Sequence, residues 1–158
     1  MSPDAELPAL QLDHVELFVP DRAAAAAWYG RALGLKPVPG TETWAADPGG
    51  PLMISADGGG TKLALFTGQP QGPQRTAGWH RVAFQVTGPG FVVFLKHAEA
   101  LGLRDRSHPL QVSDHGGAIS AYFCDPYGHR LEVTTYDPVP VRGALPGSRF
   151  TNTGSEGA

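Results

Sequence analysis

The chain has 158 residues, 41% of them hydrophobic, and a formal net charge of -3. That length suits one domain with a buried core, and without a basic stripe neither nucleic acid nor an anionic membrane surface is indicated as a partner. A single cysteine, Cys124, excludes an internal disulfide and agrees with a reducing cytoplasm.

The N-terminus, Met1-Ser-Pro-Asp-Ala-Glu-Leu-Pro8, is acidic and lacks the basic start and apolar stretch of a secretory signal. No segment approaches the about 20 apolar residues of a membrane span. A soluble cytoplasmic protein is expected.

In chain order, the first strand is predicted over 11–19, within Leu12-Asp-His-Val-Glu-Leu-Phe-Val-Pro20, which is rich in β-branched and aromatic residues. Asp21 can cap a helix through the alanine run 23–27, with Trp28, Tyr29, Ala32 and Leu33 as its buried stripe. Strands are predicted near 35–38, 42–47, 51–56 and 61–67, with Gly58-Gly-Gly60 as a turn between the last two. A Gly- and Pro-rich link follows. Next come a strand over 79–86 and a helix from Pro89 whose Phe91, Phe94, Leu95, Ala98 and Leu101 keep a three-four spacing. Short strands near 103–105 and 110–113 precede longer ones at 118–124 and 129–136, joined by the turn Asp125-Pro-Tyr-Gly128. Residues 138–158, rich in Pro, Gly and Ser, are not expected to form a core element, though a neighbouring subunit is one way to hold them.

This order reads as one unit used twice, over about 10–67 and 78–137 within a single domain spanning 1–137. His14 and His80 each stand four residues before a phenylalanine, and Lys62-Leu-Ala-Leu aligns with Arg130-Leu-Glu-Val. Duplicated units that pack about a pseudo-two-fold axis bring equivalent positions together. His14 and His80 are then counterparts, and Glu132 corresponds to Ala64. Two imidazoles and one carboxylate suit Fe(II), Mn, Zn, Co or Ni, and the vacant Ala64 corner leaves positions for water and substrate. A structural zinc site would instead be closed by four ligands. Taken singly, each histidine reads first as a polar surface or hydrogen-bonded residue that opens a strand, and Glu132 has the alternative of a solvent-facing carboxylate. His129 reads as a packing or surface residue, His97 as solvated, and His108 as part of a connection.

These residues resemble the vicinal oxygen chelate superfamily, which includes glyoxalase I, bleomycin-binding proteins, fosfomycin-modifying enzymes, methylmalonyl-CoA epimerase and extradiol dioxygenases. The resemblance covers about 10–137 and rests on Leu12-Asp-His-Val15, on Trp28-Tyr29 with Leu33-Gly-Leu35, and on the close from Tyr122 to Glu132. It implies an α+β fold of two βαβββ modules forming a curved, half-open barrel around a metal, and a homodimer. The closing segment is most similar to extradiol dioxygenases: His115, Tyr122, Asp125, Pro126, Gly128 and Glu132 fall into their pattern. Ser113 and Ala121 depart from it, and no histidine between His14 and His80 supplies their further acid/base group.

The resemblance therefore implies a metal-dependent enzyme, Fe(II) favoured, that cleaves the ring of a catecholic small molecule. His14, His80 and Glu132 would hold the metal. His115 would handle protons, imidazole being the side chain whose ordinary pKa lies nearest neutrality, and Tyr122 would donate to an oxygen-bearing intermediate. Tyr122 is otherwise a core aromatic, and His115 part of a loop. Isomerase, epimerase, lyase or thiol-transfer chemistry stands behind ring cleavage. The alternative of a different class is a protein that sequesters an antibiotic or another small aromatic ligand.

Overall fold

The computed structural model of the chain describes residues 11–70, 72 and 78–151. They form two compact units that divide between residues 71 and 72.

The first unit runs β1 (His14–Phe18), α1 (Arg22–Leu33), β2 (Lys36–Pro37), α2 (Glu42–Ala46), β3 (Leu52–Ser55) and β4 (Lys62–Phe66). Its sheet has the order β1-β4-β3-β2, with β1 parallel to β4 and the other pairs antiparallel. Leu17, Leu63, Leu65 and Ile54 are buried, and so are Ala25, Tyr29 and Ala32 of α1, which recur at helical spacing. Asp21 caps α1 as expected, its Oδ1 accepting the Ala24 N–H at 2.9 Å, and Gly34 ends the helix at φ 70°.

Residues 42–47 correct the expected strand, because 42–46 form α2. The Glu42 carboxylate accepts the Gly40 N–H at 3.1 Å and so organises the first turn. Arg22 of α1 donates to the carbonyls of Ala45, Asp47 and Gly50, acceptors that the end of so short a helix would otherwise leave open.

The second unit runs β5 (Val82–Gln85), α3 (Gly88–Ala100), β6 (Arg104–Asp105), β7 (His108–Pro109), β8 (Gln111–Asp114), β9 (Ile119–Cys124), β10 (Arg130–Thr135) and α4 (Pro138–Ala144), then a short 3-10 turn at Gly147–Arg149. Its main sheet, β5-β10-β9-β8, repeats the first order with β5 parallel to β10, while β6 and β7 pair separately. The two expected βαβββ modules are thus present in an α+β chain. Leu131 and Val133 alternate into the core, and Phe94 of α3 meets Phe123 at 5.6 Å between ring centroids. Leu101, the last residue of the three-four spacing, caps the end of α3 and is 42% exposed.

The segment after Asp137 also departs from expectation. Residues 138–144 form α4, Val141 is fully buried, and α4 packs on α3. Arg142 donates to the Asp114 carboxylate through Nε and Nη2, both at 2.7 Å, and Thr151 donates its N–H to the Val112 carbonyl at 2.7 Å. Pro138 and Pro140 fit here because the first turn of a helix has N–H groups without intrahelical acceptors. Among the described residues, no helix is long and apolar enough to cross a membrane.

Candidate functional site

In the first unit, parallel pairing sets His14 beside Lys62 and Glu16 beside Ala64, on the sheet face opposite Leu17 and Leu65. Asp13 fixes the imidazole, its Oδ2 lying 2.7 Å from His14 Nδ1, while Lys62 Nζ donates to the other carboxylate oxygen at 2.7 Å. His14 Nε2 lies 3.4 Å from Glu16 Oε1. The hydrogen bond to Asp13 raises the His14 pKa, with desolvation opposing it. This face lines a cavity of about 270 Å³ whose apolar walls include Trp44, Met53 and Phe66.

In the second unit, Glu132 pairs with Ala83 on one side and Tyr122 on the other, and Tyr122 with Gln111. These side chains share the face opposite Leu131 and Phe123. Continuing the same register one step sets Arg81 opposite Arg130. The Arg81 guanidinium lies 4.2 Å from the Tyr122 ring centroid, and its Nη1 is 3.9 Å from Glu132 Oε2. His115 Nε2 lies 2.8 Å from the Tyr122 hydroxyl. Burial raises the Tyr122 phenol above its ordinary value, with a hydrogen bond from Ser120 opposing, so the group stays protonated near neutrality. The Cys124 thiol is likewise pushed up by burial.

The expected catalytic pair, His115 and Tyr122, is therefore in contact, whereas the expected metal ligands meet a different environment. His14 is oriented as a ligand would be, with a carboxylate behind Nδ1. In the second unit, however, the cation against Glu132 is Arg81, and Arg130 Nη1 lies 3.2 Å from His80 Nδ1. Among the described residues, neither unit holds a group of three or more His, Cys, Asp or Glu side chains that could bind a metal ion. The residues beside Glu132 do not fit a divalent ion.

Register explains the mismatch. Ala64 pairs with Glu16, two residues after His14, and Glu132 pairs with Ala83, two residues after Arg81. If Glu132 corresponds to Ala64, the counterpart of His14 is Arg81 and not His80. Spacing from the following phenylalanine misaligns the opening strands by one residue, which turns a side chain to the other face. Counting back from the closing strands would have identified Arg81, and the basic residues Arg81 and Arg130 were the signal passed over.

Of the other histidines, His129 has a structural setting. His129 Nδ1 lies 2.6 Å from the Asp125 carboxylate, which also accepts the N–H groups of Tyr127 and His129 at 2.9 Å.

A family model, the Glyoxalase/Bleomycin resistance protein/Dioxygenase superfamily, matches residues 11–133. The chain belongs to that superfamily. No curated protein matches. Among solved structures, a glyoxalase family protein from Bacillus anthracis is 22% identical with a TM-score of 0.61, the match covering 83% of this chain and 98% of that one. The protein titled Oxidase ChaP-H2 is 26% identical with a TM-score of 0.59, over 81% and 94%. The fosfomycin resistance protein FosX from Listeria monocytogenes is 18% identical with a TM-score of 0.57, over 82% and 94%. At 22% and 18% identity, the first and third are likenesses of fold alone.

Proposed function

We propose that the chain is an enzyme that binds a small oxygen-bearing aromatic molecule on the polar sheet face of the second unit and moves a proton on it through His115 and Tyr122. The observation that carries this reading is the 2.8 Å contact between His115 Nε2 and the Tyr122 hydroxyl. Tyr122, kept protonated by burial, donates to a substrate oxygen, and the exposed His115 ring returns the proton from solvent. Gln111 and Glu132 flank Tyr122 in register and orient the substrate.

The test is product analysis by mass spectrometry for a panel of phenols and catechols, in aerobic buffer with and without Fe(II). Conversion lost in both His115→Gln and Tyr122→Phe supports the reading. Binding of a panel member without conversion under either condition would replace it with sequestration of a small aromatic or antibiotic ligand.

Ring-cleaving dioxygenation is the second reading, favoured by the 26% identity to a protein titled an oxidase. It requires Fe(II) on His14, His80 and Glu132, and Arg81 beside Glu132 stands against it. Oxygen uptake with catechols after anaerobic Fe(II) loading tests it, and no uptake discards it. Homodimer assembly and a cytoplasmic location are proposed as well, the first checked by sedimentation and the second by fractionation.

A further inference from the structure

We propose that Arg81 and Arg130 form a fixed cationic seat for an oxyanion, the carboxylate or phenolate of a small ligand, where the repeat would otherwise place an imidazole and its metal. The inference deepens the reading above, since it names the ligand chemistry of the same sheet face.

The argument begins with register. Leu131 pairs with Val82 in parallel, so Arg130 and Arg81 stand opposite one another one step earlier, on the face that carries Glu132 and Tyr122. Like charges at facing positions of adjacent strands repel. One carboxylate stands against the two charges: Glu132 Oε2 pairs with Arg81 Nη1 at 3.9 Å, too far for a hydrogen bond, and the partner of Arg130 Nη1 is the imidazole of His80.

Both guanidiniums also have donor capacity left over. Arg81 Nε and Arg130 Nε are buried and have no hydrogen-bond partner among the described residues. Buried donors are ordinarily satisfied, and two orphans on neighbouring arginines point to an acceptor that arrives with a ligand. The Arg81 side chain as a whole is 24% exposed while its Nε is buried, so a ligand approaches the guanidinium from its exposed part, and the position over the Tyr122 ring limits its motion. A guanidinium presents a planar fork of N–H groups that matches the two oxygens of a carboxylate. A divalent cation would instead add two more positive charges beside the two guanidiniums.

The test uses the full chain, purified without a chelating tag, and calorimetry with benzoate and its methyl ester at low ionic strength. Benzoate is expected to bind at least about tenfold more tightly than the ester, and to lose at least about tenfold in both Arg81→Gln and Arg130→Gln, with weaker binding as salt rises. If a glutamine variant fails to fold, Arg81→Lys keeps the charge, removes the fork and is expected to weaken benzoate as well. The proposal is overturned if benzoate fails to bind up to about 10 mM, or binds no better than the ester. It is also overturned by cobalt(II) binding near one ion per chain that is lost in His80→Ala. Calorimetry reads binding without turnover. Benzoate binding that persists while conversion fails leaves this inference standing and removes the proton-transfer reading; the reverse outcome does the opposite.

Discussion

His115 and Tyr122, seven residues apart, meet at 2.8 Å because the hairpin joining β8 to β9 turns back on itself: the His115 N–H donates to the Ala118 carbonyl at 2.8 Å. The contact ties a solvent-exposed imidazole to a partly buried phenol. If the pair acts as a unit, His115→Gln and Tyr122→Phe each lower turnover by about 100-fold, and the double variant is little worse than either. The hydrogen bond itself contributes about 1 kcal/mol or less to folding. Urea denaturation of the four members of the cycle checks the second expectation, and a double variant with multiplied kinetic losses would separate the two residues functionally.

Asp114, next to that hairpin turn, links the sheet to α4. Arg142 hydrogen bonding, helped by the Gly116 N–H, holds its carboxyl at about 2 instead of 3.8. A depressed carboxylate stabilises the fold fully above its unfolded value, and the contribution is lost as pH falls through the folded one. Arg142→Ala should therefore be less stable than the parent at neutral pH, with the gap closing between pH 3.8 and about 2. Urea midpoints of both proteins across that range test it. A gap independent of pH would assign the loss to packing of the Arg142 stem.

Much of this architecture was legible where local signals and burial agreed. Asp21 caps α1, Leu131 and Val133 alternate inward on β10, and Gly128, at φ 94°, supplies the backbone conformation that the turn before β10 requires. His115 and Tyr122 were legible as a pair because they share one hairpin. Illegible were features decided by a distant partner. The Thr-Glu-Thr-Trp alternation at 41–44 looks like a strand, but Arg22 supplies donors to the end of a helix there. Proline, glycine and serine made 138–158 look like a tail outside the core, yet Val141 has a place against it. Arg81 was missed because pairing with β10, and not spacing to Phe84, decides which side chain joins Glu132.

Val141 turns the second of those misreadings into a measurement. Its side chain is fully buried in α4, which packs on α3. Val141→Ala should destabilise the protein by about 2 kcal/mol through lost burial and the space left behind. Val139, 72% exposed on the same helix, is the control, and its alanine variant should fall within about 0.5 kcal/mol of the parent. Equal effects at the two positions would mean that α4 is not docked in solution.

Asp125 tests whether the most specific motif of the chain is structural or chemical. Its side chain is fully buried, and its carboxylate accepts the N–H groups of Tyr127 and His129 and faces His129 Nδ1 at 2.6 Å. These contacts close the turn from which β10 emerges, so they set the register of Glu132 against Tyr122. Asp125→Ala strands several buried donors at once and should cost about 3 kcal/mol or more. Asp125→Asn keeps an acceptor for the backbone and should cost less. A structural role predicts that ligand affinity per folded molecule stays within about twofold of the parent in the asparagine variant. Calorimetry under strongly folding conditions decides it: a large affinity loss at undiminished stability would move Asp125 from the scaffold into the binding site.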